Sequence, residues 1–401
     1  MNNKLLVSGG GIAGLAAALA CSRAGWQIDV LEQAAQFGEL GAGVQLGPNV
    51  GKVLHGWGLE QALQKVASYP AQLEVRNALT TQRLGVLPLG QPFEARYGAP
   101  YITIARVDLH RLLLAAVQAA PGTVLHLDAR VCGIAQDPQR VRLQTEQNQV
   151  FEAPLLVAAD GVWSQARKQV VNDGAARLTG HLAFRAMLPQ SDLPALLRSR
   201  HITAWLGPEF HAVCYPVAGG QWLNVVCVVQ GKGKGKGKGK GKVLGNPESW
   251  DHSANAHELR SRMALASGGL RELIHAIDQW RVWPLCDRAP MASAAEHAKG
   301  RIALIGDAAH PMRPYLAQGA GMAIEDAAVL AECLGTGNPD IPLALAQFAK
   351  RRWQRNARVQ ARAIRNGQIY HFKGLAQVGR DMALKLLGGR LMDLPWLYKG
   401  P

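Results

Sequence analysis

The chain has no two cysteines in a CxxC spacing. Its six cysteines, Cys21, Cys132, Cys214, Cys227, Cys286 and Cys333, are scattered. That excludes the usual zinc-ribbon and dithiol-redox patterns, and lone cysteines in apolar surroundings fit a reducing cytoplasm. No metal-ligand spacing is present either. No signal peptide is expected, because the first residues run directly into a strand pattern. The apolar stretch from Ile12 to Ala24 is too short to span a bilayer and follows a glycine-rich turn. Charged residues make up only 18% of the 401, against 48% hydrophobic. That excludes a disordered chain and leaves one large composite domain or two.

Acidic residues are also few, 29 against 44 Lys and Arg, so the net charge is +15. Such an excess invites a nucleic-acid or anionic-membrane partner. It equally suits an enzyme that collects anionic substrates and phosphorylated cofactors. Six of the charges sit in one tract, GKGKGKGKGKGK, from Gly231 to Lys242. Alternating Gly and Lys buries no apolar area and is costly to order. The tract reads as an expanded, mobile surface loop; a polyanion-binding tether is the alternative. Arg351, Arg355, Arg358, Arg362 and Arg365 form a second basic feature, a stripe along one helix face. Such a stripe reads as a solvated face, and no recognised nucleic-acid module surrounds it.

What is present begins at Lys4. KLLVS reads as a buried parallel strand, followed by Gly9, Gly11 and Gly14 in a GxGxxG turn, a helical pattern, and a second strand ending at Glu32. The first glycine permits the tight turn. The second lets backbone approach a pyrophosphate, and the third lets helix pack on strand. The helix N-terminus offers unpaired N–H groups to phosphate, and Glu32 can accept ribose hydroxyls. This is a dinucleotide-binding unit; the spacing does not distinguish FAD from NAD.

Two further strand-to-turn junctions follow, at Asp160-Gly161 and at Gly306-Asp307. Asp307 can bind ribityl or ribose hydroxyls. The turn Gln318-Gly319-Ala320-Gly321 places bare N–H groups at a helix start, which stabilises negative charge. Pro311 and Pro314 stiffen the preceding loop. Between the two junctions, HITAWLGPEFHAVCYPV and QWLNVVCVVQ alternate and read as antiparallel strands. His211 and Tyr215, four apart in one strand, face the same side, and Cys214 faces the other.

The three glycine-acid sites, in this order and spacing, resemble the single-component FAD-dependent aromatic hydroxylases, in the salicylate hydroxylase-like and 3-hydroxybenzoate 6-hydroxylase-like branch. The resemblance runs from residue 4 to about 330. It implies an α/β fold: a Rossmann-like FAD-binding domain, an inserted, mainly antiparallel substrate sheet, and a C-terminal helical tail. The expected divisions are residues 1–75, 100–172 and 286–345 for FAD, 76–99 and 173–285 for substrate, and 346–401 for the tail.

By resemblance, Gly9, Gly11, Gly14, Glu32, Gly306 and Asp307 bind tight, non-covalent FAD, and Asp160 and Gly161 are associated with both FAD and NAD(P)H. Arg106 in ARVDLHRLL approaches its phosphates, and Gln45 in the loop GAGVQLGPN lies by its ring. Pro314, Gly319 and Gly321 complete the cofactor set. Gln45 stands where the related hydroxynicotinate enzymes carry His. WPLCDRAP, from Trp283 to Pro290, resembles the strand that returns to the FAD domain. The resemblance implies NAD(P)H as a transient co-substrate, and a sequence without a second pyridine-nucleotide unit fits that. The implied reaction hydroxylates a phenolic or related aromatic acid with O2 through a flavin C4a-hydroperoxide, with His211 and Tyr215 at the substrate. Such chemistry needs a ring deprotonated by a base. Arg185 can meet a substrate carboxylate or NAD(P)H, or be a solvent-exposed strand residue. His310 reads as structural. The implied protein is cytoplasmic, a monomer or homodimer, and binds no specific nucleic acid. Two alternatives stay open: an FAD oxygenase of another reaction, such as epoxidation or tailoring, and a polyanion-binding protein with a vestigial flavin fold.

Overall fold

The computed structural model describes residues 3–38, 42–231 and 253–401. The Gly-Lys tract, Gly231 apart, lies outside the described residues, as does Gly41.

The apolar run Lys4–Ser8 is the centre of a six-stranded sheet. Gln27–Leu31 and then Thr123–His126 lie on one side of it. On the other side, Leu156–Ala158 and Ile302–Leu304 continue the parallel sheet, and Ala298–Lys299 closes it as an antiparallel edge strand. Helices cover it, which is why its strands are continuously apolar. Helix Ile12–Arg23, rich in small residues, is buried between this sheet and helix Gly319–Leu334. The order of strands has one functional consequence. Strands 4–8, 156–158 and 302–304 are neighbours and parallel, so the turns at Gly9, Asp160 and Gly306 all leave from one sheet edge. Ligands of open α/β sheets bind outside such carboxyl ends.

A second sheet has eight strands, in the order Ser253–Asn255, Gln279–Asp287, Arg177–Pro189, Trp222–Gln230, Phe210–Val217, Ile202–Gly207, Gln72–Asn77 and Arg83–Pro88. All its pairs are antiparallel except 202–207 with 72–77. Strand 72–77 spans the expected boundary at 75. One face packs Phe184, Phe210, Ala212, Cys214 and Cys227 against Leu259, Leu270 and Leu273 of two short helices. The opposite face carries His211, Val213 and Tyr215. Period-two alternation thus sorts one strand between a sealed core and a functional layer.

The C-terminal helices begin with Ile341–Tyr370. Here the structure corrects one expectation. The arginine stripe is not simply solvated. Arg355 donates to both carboxylate oxygens of Glu325 and to the carbonyls of Trp396 and Leu397. Arg358 lies 4.1 Å over the Trp396 ring, and Arg351 donates to Glu332. The reason is that the chain's own end folds back over that face. Among the described residues, no helix is long and apolar enough to cross a membrane.

Candidate active site

The glycine turn is shaped by contact. Gly9 has φ +103°, and a Cβ there would lie 2.5 Å from the Ala159 carbonyl oxygen. A Cβ on Gly14 would lie 1.8 Å from the Gly9 carbonyl oxygen, whereas one on Gly11 would meet nothing within 4 Å. Gly9 and Gly14 are therefore required by the chain itself, and Gly11 borders open space. Glu32 accepts from the backbone N–H of Gly10 (2.6 Å) and of Ala34 (2.9 Å). His110 donates to the Gly10 carbonyl (2.8 Å) and fixes the turn from the helix Arg106–Gln118.

At the second junction, Asp160 Oδ2 accepts from Gln165 N (2.8 Å), while Oδ1 is buried with no partner among the described residues. Burial raises this carboxyl. Gly161 follows at φ +75°. At the third, Gly306 (φ +57°) passes between Ala13 and Ala323 and donates to Asp326 Oδ2 (3.1 Å). The Asp307 side chain is exposed. Pro314 opens a short turn, and helix Gly319–Leu334 begins with no side-chain cap at Gln318. Gly319 borders open space, and Gly321 packs against Val50.

The eight-stranded sheet supplies the other wall. His211 and Tyr215 are both buried. His211 Nδ1 lies 2.8 Å from His371 Nε2, and its ring meets Tyr315 and Tyr370 edge-on at 5.1 and 5.4 Å. His181 Nδ1 bonds the Tyr315 hydroxyl. Burial, then His371 and His181, holds His211 well below its ordinary value. His371 falls to about 3 and His181 to about 4, in both cases chiefly through burial. Tyr215 is pushed up by burial, so it stays a neutral hydroxyl.

Gly43 lies flat on Tyr215 and Asn224: a Cβ there would be 2.5 Å from the tyrosine ring. Its N–H donates to Asn224 Oδ1 (2.7 Å). Gln45, expected in a loop, is in strand Gly43–Leu46, which pairs with Ile102–Ala105. Its Oε1 accepts from the Tyr101 hydroxyl (2.9 Å). The register Arg185↔Val226↔Val213 puts Arg185 in the row between those of His211 and Tyr215, on the same face. Arg185 is half-buried, not solvent-exposed; its guanidinium lies 5.3 Å from the Trp283 ring centre, and its Nε has no partner among the described residues. Arg106 opens the helix below, its N–H donating to Ala42 O (2.7 Å).

A sequence model of a family described as an FAD binding domain matches residues 3–337. The chain is 36% identical over 397 residues to the 3-hydroxybenzoate 6-hydroxylase of Polaromonas naphthalenivorans strain CJ2, covering 98% of this chain and 95% of that one. The chain belongs to the FAD-dependent aromatic hydroxylases. It is also 36% identical over 396 residues to a 3-amino-4-hydroxybenzoate 2-monooxygenase of Streptomyces platensis, with 98% and 95% covered. A solved salicylate hydroxylase substrate complex superposes with a TM-score of 0.81 at 26% identity, covering 99% of this chain and 95% of that one.

The residues present fit the FAD of this hydroxylase family. Space is open at Gly11, Asp307 presents an exposed carboxylate, and the helix starting at Gly319 has uncapped N–H groups. One buried cluster looks like a metal site: His297, His310 and Asp326 bring ligand atoms within 4.8 Å of one another. A cation already occupies that carboxylate, because Arg352 Nε donates to Asp326 Oδ1 (2.8 Å) and His310 bonds Oδ2 (2.6 Å).

The structure brings His211 together with His371, Tyr315, Tyr370 and His181, and Tyr215 with Asn224. Sequence reasoning missed these partners. Tyr315 sits beside Pro314 in a loop already singled out. His371 lies 160 positions from its partner, and no local pattern signals that contact.

Proposed function

We propose that this hydroxylase acts on a ring-hydroxylated benzoate, with His211 as the base and Tyr215 and Arg185 as binding residues. The observation that carries the reading is one sheet face: a buried, neutral histidine, a buried tyrosine, and between their rows a half-buried arginine with an unpartnered Nε. The relatives' names point to the same class, since both are hydroxylases of hydroxybenzoates.

When bound and reduced by NAD(P)H, FAD supplies the activation of O2 that delivers one oxygen atom to the ring. The chain does the rest. Arg185 holds the carboxylate by charge-assisted hydrogen bonds. His211 takes the phenolic proton, which makes the ring electron-rich, and Tyr215 donates to the substrate as a neutral hydroxyl. The uncapped N–H groups at Gly319 and Gly321 would stabilise negative charge on bound FAD. Gly9, Gly11, Gly14, Glu32, Gln45, Arg106, Asp160, Gly161, Gly306, Asp307 and Pro314 form the FAD cradle in this reading. The divisions near residues 75, 100, 172, 286 and 345 then separate cofactor, substrate and tail segments. Six cysteines without disulfide partners support a cytoplasmic setting.

The test is substrate-stimulated NAD(P)H oxidation with a panel of hydroxybenzoates, with product analysis, in the wild type and His211→Asn. Loss of hydroxylation with FAD retained supports the base. Full hydroxylation by His211→Asn refutes it.

A further inference from the structure

His371 belongs to the C-terminal helices, beyond residues 3–337 that carry the family match. Yet its ring is the hydrogen-bond partner of His211, and both side chains are buried. We propose that His371 is the positioning residue of the reaction: it selects the His211 tautomer whose Nε2 is a free base and shares the proton that His211 takes up. This rests on His211 being the base.

The argument is one of hydrogen-bond inventory. A neutral imidazole has one donor nitrogen and one acceptor nitrogen. The contact between His211 Nδ1 and His371 Nε2 therefore has two arrangements. If His211 Nδ1–H donates, its Nε2 carries the lone pair, and His371 keeps its own proton on Nδ1, which is buried with no partner among the described residues. If His371 Nε2–H donates, His211 Nε2 is protonated and cannot act as a base. A second-residue partner that fixes a histidine tautomer can control the rate without touching substrate.

The surroundings keep the resting pair neutral. His181 faces it from strand Arg177–Pro189, Tyr315 and Arg313 from the loop after His310, and Tyr370 and Arg380 from the C-terminal helices. Asp287 holds Arg313 at 2.7 Å, and the backbone carbonyl of His371 accepts from Glu209, which is paired with Lys373. Burial, then His181, Arg380 and Arg313, opposes a positive charge on His371. The pair therefore takes a proton only as a phenolate forms beside it. The substrate O–H bond breaks, its electron pair stays on oxygen, and an N–H bond forms at His211 Nε2. The Nδ1 proton then moves toward His371 Nε2, and the two rings share one positive charge. The tail helices thus complete the site.

The test uses the full FAD-loaded protein and three variants, His371→Leu, His371→Gln and His211→Asn. Flavin absorbance and thermal melting check that each is folded and loaded. His371→Leu is expected to lower kcat about tenfold to hundredfold, with KM moved less than about twofold, a part of the range available to acid–base catalysis. His371→Gln, which keeps an acceptor at the contact, is expected to restore most of the rate. In the wild type, histidine nitrogen-15 NMR is expected to find His211 as the Nδ1–H tautomer. Unchanged kcat in His371→Leu, an equal loss in both His371 variants, or an Nε2–H tautomer of His211 in the wild type overturns the proposal. The NMR result stands even if His371→Leu does not fold. Full activity in His211→Asn instead overturns the base assignment itself, so the two failures are distinguishable.

Discussion

Replacing Gly11 and Gly14 by alanine, one at a time, separates what the glycine turn does for the chain from what it does for FAD. At Gly14 the new methyl would lie 1.8 Å from the Gly9 carbonyl oxygen and 3.0 Å from its carbon, where ordinary contact starts at 3.4 Å. Both obstacles are backbone, so no side-chain rotation relieves them. Helix Ile12–Arg23 would have to retreat by roughly 1.5 Å, about the rise of one residue. Overpacking of this kind costs about 1–3 kcal/mol or more, and the helix-propensity gain of about 1 kcal/mol offsets part of it. Gly11 is different. It has ordinary extended angles, φ −75° and ψ −173°, and its methyl would meet nothing within 4 Å. Gly11→Ala should leave the FAD-free protein within about 0.5 kcal/mol of wild type. It should still weaken FAD binding by about tenfold or more, or about 1.4 kcal/mol, because the methyl takes the approach to the phosphates. Urea denaturation of FAD-free protein and FAD titration measure the two effects. Wild-type FAD affinity in Gly11→Ala, or unchanged stability in Gly14→Ala, refutes the reasoning.

Arg352→Leu leaves Glu325 and Asp326 buried with one cation fewer and should cost about 3–5 kcal/mol by urea denaturation; a loss under about 1 kcal/mol contradicts this. Stability should fall as pH drops from 6.5 toward 4. His297 and His371 titrate at about 4 and about 3, mainly through burial, so the unfolded chain binds more protons in that window. Their contribution is complete above pH 6.5, and a flat stability profile between 6.5 and 4 argues against it. Asp326 adds a loss at lower pH still: burial raises its carboxyl, but His310 and Arg352 hold it far below the usual range. Arg185→Gln should raise KM for a hydroxybenzoate about tenfold to hundredfold, the worth of a charge-assisted hydrogen bond. The matching phenol without a carboxylate should be unaffected, and an equal effect on both removes Arg185 from carboxylate binding.

The local features were legible because their causes are local. KLLVS forms the strand Lys4–Ser8, and the glycine turn and helix follow as the spacing requires. Alternation placed His211 and Tyr215 opposite Cys214, which lies in the helix-covered core. Gln45 was harder: its strand exists through pairing with residues 102–105, and four residues give too short a period to read. The arginine stripe was misread because a helix face looks solvated until a distant segment covers it, here residues 395–398 and the acidic side chains of helix Gly319–Leu334. His371 was invisible for the same reason. A helix pattern fixes which residues share a face, and says nothing of which strand its end will meet.

The most direct test of the central claim is the visible spectrum of the purified protein, followed by NADH and NADPH oxidation with each hydroxybenzoate in turn. Bound-flavin absorbance, oxidation stimulated by one of these acids, and a product carrying one added ring oxygen are the predicted result. Bound flavin with no acid giving stimulation or a hydroxylated product would contradict the substrate reading. Failure to hold or take up FAD would contradict the account as a whole.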